Sequence, residues 1–458
     1  MPDRSVGAFD RRLIAPMILG AILNPINSSM IAVALVPIGM AFGAPPAETA
    51  WLVGGLYVAT AIGQPVVGRL VDGYGPRRLF LIGTALVGAA GVLGVVSPQL
   101  WVLVVARVLL GFGTCAGYPA AMYLIRSEAD RTGEDSPARI LTLLAISTQT
   151  IAVIGPTLGG LLVGLGGWRS VFAVNVPLAV LGFVLGALRL PRAHQEARTG
   201  STPPMDLPGI AFFAATLVAL LLFLMDPGRW WLAPVAVVAG AAFTVRELRS
   251  AAPFLDLRVF GGNAALLATY ARALLAAIVS YAFLYGFTQW LEEGRGLSPS
   301  VTGLVLLPVF GIGIAVSALT GRHPAVRGKL VVGAVAQLLV CVLLLVLDST
   351  SPIWLIVLGA TVMGVPQGLV NLANQNALYH QADPERIGAS AGLLRTFFYL
   401  GAIVSSAASG GYLGDRADTP GLHHLAALLV GVAATFVVVT LADRSLARVG
   451  TAPSTERG

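Results

Sequence analysis

Apolar runs long enough to cross a lipid bilayer recur from one end of this 458-residue chain to the other. A bilayer's hydrocarbon core is about 30 Å thick, and about 20 largely apolar helical residues span it. Inside lipid a backbone must satisfy its own hydrogen bonds, which a helix does within one segment. Fourteen segments meet that measure: residues 13–36, 50–70, 79–97, 100–124, 139–163, 169–189, 207–225, 230–246, 264–289, 300–320, 330–347, 353–378, 387–412 and 423–442. Composition agrees. Charged residues make up 11% of the chain, against about 25% in a soluble domain. The 54 glycines and 28 prolines are surrounded by apolar runs, where membrane helices tolerate them. Cys115 and Cys341 lie in such runs with no other Cys or His at ligand spacing, and read as small buried apolar residues. Neither a metal nor another cofactor is expected. Arg11 and Arg12 precede the first segment and no small-residue cleavage site closes it, so it is expected to remain as a helix.

The net charge of +7 would suit a nucleic-acid surface, but its placement is a topology signal. With both termini cytoplasmic, the fourteen segments put 22 of the 29 Lys and Arg residues on the cytoplasmic side. Four fall outside (Arg169, Arg229, Arg295, Arg416) and three within helices. A missed or extra segment would mix the two sets downstream of it, so the asymmetry supports the count. The tryptophans at 51, 101, 168, 230, 231, 290 and 354 fall near the outer ends, as an interfacial belt would. The expected setting is a cell membrane, with the lipid bilayer as partner and no nucleic acid. The polar stretch 191–204 and a second at 246–262 read as cytoplasmic linkers that bracket segments seven and eight. The expected fold class is therefore an all-α membrane protein of two six-helix bundles plus two extra central helices. Its parts are an N-terminal half (1–190), a linker with two inserted helices (191–262) and a C-terminal half (263–458).

Six, two and six suggests duplication. Residues 47–69 lie opposite 300–322, with Gly68-Arg69 on Gly321-Arg322, an offset of 253. The same offset sets Gly111 on Gly364. Two related halves place a site between them near the midplane, opened to each side in turn. Three motifs punctuate the first half. Gly68, Asp72, Gly75, Arg77 and Arg78 form a tight, charged turn after the second segment. The fourth segment carries Arg107 with Gly111, Thr114 and Tyr118 on one face. The fifth carries Gly155-Pro156-Thr157-Leu158-Gly159-Gly160, a kink among residues small enough for close helix approach.

In this order the three resemble motifs A, B and C of the major facilitator superfamily. Fourteen helices, Gly167-Trp168-Arg169 before Asn175-Val176-Pro177, and Gln289 before Gly296-Leu297-Ser298-Pro299 are similar to its fourteen-helix drug:proton antiporters. The resemblance covers nearly the whole chain. It implies alternating access, a small-molecule substrate, protons as the coupled ion, and coupling and packing roles for Arg107. Motif A would gate the cytoplasmic face and motif C would seal or hinge the halves. Asn27 stands where that family carries an Asp in its first helix, and an amide carries no proton.

Polar groups are costly in hydrocarbon, so those present should face a cavity or a partner. The candidates for cavity and coupling are Asn24, Asn27, Tyr57, Gln64, Arg107, Tyr118, Gln149, Arg272, Gln367, Asn371, Gln375 and Arg395. Gln367, Asn371 and Gln375 make a stripe at i, i+4 and i+8. Three intramembrane arginines without a deep carboxylate predict an anionic, zwitterionic or neutral amphiphile and disfavour a simple cationic dye. The function expected is proton-linked export of such molecules by a monomer. The alternative is a lipid or anionic-metabolite translocator, or an uncoupled carrier. The five histidines lie in loops or at helix ends, and neither a nucleophile–base set nor a GxxxxGK[ST] loop is apparent, so the expectation is neither an enzyme nor an ATP-driven pump.

Overall fold

The computed structural model describes residues 9–132, 138–191, 206–226, 228–250, 253–255, 257–320, 326–382 and 387–447. They are helical, with no strand among the described residues. Among the described residues, twelve helices are long and apolar enough to cross a membrane: Arg11–Phe42 (α1), Pro46–Val71 (α2), Pro76–Val96 (α3), Leu100–Ile125 (α4), Arg169–Arg189 (α6), Leu207–Met225 (α7), Ala264–Glu293 (α9), Pro299–Thr320 (α10), Val326–Leu344 (α11), Ile353–Leu378 (α12), Ser390–Leu413 (α13) and Thr419–Ala442 (α14). Two more complete the fourteen. They are α5, Ala138–Gly166, and α8, Leu232–Arg249, whose 18 residues are about 27 Å long at 1.5 Å per residue. We call the side where α1 begins and α14 ends the terminal face.

Helix boundaries follow local chemistry. Gly75 joins α2 to α3 at φ +86, a conformation that penalises any side chain, and Pro76 opens α3 where no backbone N–H is required. Asp206 and Asp418 cap α7 and α14 by accepting the Gly209 and Gly421 amides at 3.0 and 2.8 Å. α1 contains Pro25 and passes through a 3₁₀ stretch, Ile31–Ala34. The outer faces of α8 and α14 leave Val237, Val238, Val438 and Leu441 uncovered, the surface lipid would solvate. Trp101, Trp230, Trp231 and Trp354 are exposed, as belt residues should be. Trp168 and Trp290 correct that expectation: both are buried, and Trp290 donates to Thr419 Oγ1 at 3.2 Å. A ring with a satisfied N–H is a core residue as readily as an interfacial one.

The offset of 253 recurs in the packing. A Cβ on Gly111 of α4 would lie 2.7 Å from the Leu56 carbonyl oxygen and 2.8 Å from Ala59 Cβ of α2. On Gly364 of α12 it would lie 2.6 Å from the Val309 oxygen and 2.6 Å from Ile312 Cβ of α10. Residues 56 and 309, and 59 and 312, are again 253 apart, so the same close crossing occurs twice. Between the first six helices and the last six, α2 packs on α13, α5 on α10, and the 3₁₀ stretch of α1 on α9 and α10. α7 and α8 pair with each other, and α7 lies against α2 and α13 with Leu221 beside Gly54.

Candidate functional site

A cavity of about 950 Å³ lies between the first six helices and the last six. α1 contributes Gly20 to Ser29, α2 Ala61 to Arg69, α9 Ala273 to Leu284, and α13 Ala391 to Tyr399. The α2 and α13 stretches belong to the parts of their helices toward the terminal face, and those of α1 and α9 reach the middle, so the cavity extends from the centre of the molecule toward that side. Its wall alternates apolar side chains, among them Phe254, Phe283, Phe310 and Phe398, with polar ones.

Seven of the twelve sequence candidates line it: Asn24, Gln64, Tyr118, Gln367, Asn371, Gln375 and Arg395. Asn24 donates to Thr114 Oγ1 at 3.0 Å and Gln375 to Asn371 Oδ1 at 3.4 Å. Thr114 and Gln367, and Tyr118 and Asn371, are also 253 apart, so α4 and α12 present equivalent polar faces. Arg395 sits over the Tyr118 ring, 3.9 Å from its centroid, and its Nη1 donates to Gln64 Oε1 at 3.5 Å. The described lining includes Arg69 and Arg395 but no Asp or Glu.

Four candidates lie elsewhere. Asn27 is buried, donating to Asn175 Oδ1 at 2.7 Å and to the Leu23 carbonyl at 2.9 Å. Arg107, 1% exposed, donates from Nε to the Leu52 carbonyl at 2.8 Å and from Nη1 to that of Asn27 at 3.1 Å. It ties α4 to α2 and α1. Tyr57 shares a 3.0 Å hydrogen bond with Tyr285, whose hydroxyl reaches the Ser28 carbonyl at 2.8 Å. Arg272 corrects the expectation of three unpaired arginines. It is fully buried, with Nη1 at 2.7 Å from Asp443 Oδ2 and Nε donating to Asn374 at 3.3 Å. Asp443 follows the last apolar segment by one residue, and the end of α14 brings it over the arginine. The side chain of Gln149 lies outside the described residues.

Beyond the cavity the helices close. Thr157 Oγ1 donates to the Gly303 carbonyl at 2.9 Å, Ser300 Oγ to that of Gly160 at 2.8 Å, and Ser406 Oγ to that of Ala50 at 2.7 Å. The motif C glycines make this possible. Gly155 packs on Ser29, Gly159 on the Met30 carbonyl and Gly160 on that of Pro299, while Gly303 packs on the carbonyl of Pro156. Every one of these positions would clash with a Cβ. Of the motif A residues, Arg77 donates to the Ala187 carbonyl at 2.8 Å, Arg78 is exposed, and Gly68 has open space around it. The Asp72 side chain lies outside the described residues.

Sequence reading missed the wall formed by the stretch after α8. Residues 253–255 fall in the expected linker, yet they line the cavity mouth. Arg69 donates to the Pro253 carbonyl, and the buried Glu247 accepts the Leu255 amide at 2.9 Å. Asp206 and Arg246 pair at 3.1 Å nearby. A buried Glu near the end of an apolar helix was the available signal.

The Major Facilitator Superfamily model matches residues 17–406 and, again, 273–456. A Bacillus subtilis protein described as an uncharacterized MFS-type transporter is 33% identical over 403 residues, 84% of this chain and 86% of that one. The lincomycin resistance protein of Streptomyces lincolnensis is 30% identical, covering 93% and 90%. Among solved structures, a mutant of the peptide transporter POT in complex with sulfate superposes with a TM-score of 0.70 at 15% identity, over 96% of each chain, a likeness of fold. The fold, the doubled glycine crossing and these matches agree: the chain belongs to the Major Facilitator Superfamily and is a membrane transporter, not an enzyme.

Proposed function

We propose that the protein is a secondary active exporter of small amphiphilic molecules that works by alternating access and is coupled to protons. The observation that carries this reading is a cavity of mixed apolar and amide lining, extending from the centre toward the terminal face, whose far side is closed by hydrogen bonds between the two sets of six helices. Such a cavity suits a substrate with an apolar body and a few polar groups. The relative named for lincomycin resistance supports the drug-export sense. On this reading residues 1–190 and 263–458 are the rocking halves, 191–262 carries the inserted pair, and the terminal face is cytoplasmic. The motif C glycines serve as the outer seal, and Asp72 with Arg77 and Arg78 as the inner gate. Asn24, Gln64, Tyr118, Gln367, Asn371, Gln375 and Arg395 contact substrate, while Arg107 holds α1 and α2 in register. The working unit is a monomer.

Asn27 favours a second reading in one respect. Its amide is held by Asn175 and carries no proton, so an uncoupled carrier or lipid translocator fits the first helix equally well. Substrate counterflow and pH-driven uptake in proteoliposomes separate the two. A drug-class amphiphile accumulated against its gradient only when a pH difference is imposed supports export. Exchange without response to pH supports the carrier, and lipid movement alone overturns the exporter.

A further inference from the structure

Arg395 differs from the other two intramembrane arginines in what its donors do. Those of Arg107 go to two backbone carbonyls, and those of Arg272 to Asp443, Asn374 and Thr269. Arg395 stands eight residues into its helix, Ile387–Leu413, about 12 Å along the axis. Its one described hydrogen bond is the 3.5 Å contact to Gln64, at the limit of a useful distance. No carboxylate among the described lining residues neutralises it. The Tyr118 ring lies 3.9 Å beneath the guanidinium carbon. Stacking occupies one face of the planar group and leaves the N–H donors, which point out of its edges, free toward the cavity.

From this we infer that Arg395, backed by Tyr118 and flanked by Gln64, is a subsite for the carboxylate of an anionic amphiphile. The inference rests on the exporter reading and names its substrate class. A carboxylate takes two parallel N–H donors from such a fork, displacing the long contact to Gln64. The apolar body then lies against the aromatic wall that includes Phe254 and Phe398. A cation in the same place would meet a fixed like charge.

The test is equilibrium binding to the full-length protein in phosphatidylcholine nanodiscs. The probes are 1-pyrenebutyrate, its methyl ester and 1-pyrenemethylammonium, which share one apolar body and differ in charge. The acid should bind about tenfold or more tightly than the ester, the scale of a charge-assisted hydrogen bond. The ammonium should bind most weakly. In Arg395→Gln the acid-to-ester ratio should fall toward one, in Arg395→Lys it should be partly kept, and in Tyr118→Leu reduced. The ester, read in every variant, reports whether the cavity is still formed. Should Arg395→Gln fail to fold, the wild-type ratio and Tyr118→Leu decide. Equal binding of acid and ester by the wild type overturns the subsite and leaves the exporter reading standing. A ratio unchanged in Arg395→Gln does the same. Binding of no probe overturns the amphiphile reading itself, and the subsite with it. Discs doped with phosphatidylglycerol provide the last arm: if the lipid erases the acid's advantage, the arginine serves a lipid phosphate and the substrate assignment is overturned.

Discussion

The same helix pairs behave differently at their two ends. Away from the terminal face, four polar ties run between the first six helices and the last six: Thr157 to Gly303, Ser300 to Gly160, Ser406 to Ala50, Tyr57 to Tyr285. They are short and buried or part-buried, and most end on a carbonyl that a glycine or alanine leaves accessible. Toward the terminal face the strong ties stay within one set: Arg77 to Ala187, Arg272 to Asp443, Asn24 to Thr114. Between the sets, the described contacts there are long or adaptable ones, such as Arg395 to Gln64. One interface is thus zipped by small residues at one end and parted around large polar ones at the other. A seal made of backbone acceptors and small side chains can open without stranding a charge, because each released carbonyl and hydroxyl can be rehydrated. A seal built from ion pairs would be costlier to part.

Filling the zip should produce the largest effect. In Gly160→Leu the new side chain meets the Pro299 carbonyl and Ser300, and the closed state cannot form. Overpacking of this kind should lower transport by about tenfold or more. A cysteine placed at Ser300 should then react with an impermeant maleimide added from the side opposite the termini, and not in the parent protein. Equal labelling and normal transport would show that this crossing is not the seal.

The ion pair at the other end predicts a loss of stability. Arg272→Ala leaves Asp443 buried without its partner, at a cost of about 3–5 kcal/mol, read as a lower unfolding temperature in detergent. The double variant Arg272→Met/Asp443→Leu should recover most of it, since the stranded charge rather than the lost attraction sets the cost. Failure to recover would mean the pair is needed for a contact beyond its own neutralisation.

Tyr285→Phe sharpens the comparison at the boundary between zip and cavity. It removes the bonds to Tyr57 and the Ser28 carbonyl while keeping the ring stacked on Tyr281 at 5.8 Å. The loss should be about 1–2 kcal/mol of stability, with α1 and α9 less firmly joined. Faster hydrogen exchange in residues 26–34 would report it.

The contrast between ends was only partly legible in the sequence. Helix number, the doubled glycine crossing and the amide stripe all rest on local spacing, which a linear pattern carries directly. Arg272 looked unpaired because its partner, Asp443, is 171 residues away and outside any apolar run. Trp168 and Trp290 sit at helix ends like belt residues, and only packing shows that neighbours cover them. The stretch 253–255 reads as polar linker by position, yet Arg69 and Glu247 hold its backbone at the cavity mouth. In each case two distant segments decide the outcome, and neither announces the other.

The smallest predicted effect concerns two adjacent glutamates at the zipped end. Glu293 accepts the Ala417 amide at 2.7 Å and so fastens α9 to the turn before α14. Glu292 is 7% exposed, and neither of its carboxylate oxygens has a hydrogen-bond partner among the described residues. The facing part of α1, residues 35–42, and α10 carry no ionisable side chain to answer it. Replacing a buried polar group that lacks a partner with an apolar one of similar length should stabilise the fold. Glu292→Met is therefore expected to gain about 1 kcal/mol and Glu293→Met to lose about as much. Melting of the two variants side by side checks the sign. If both lose stability, Glu292 holds a partner in the working protein that the closed zip conceals, and this end of the interface is then more than a packing seal.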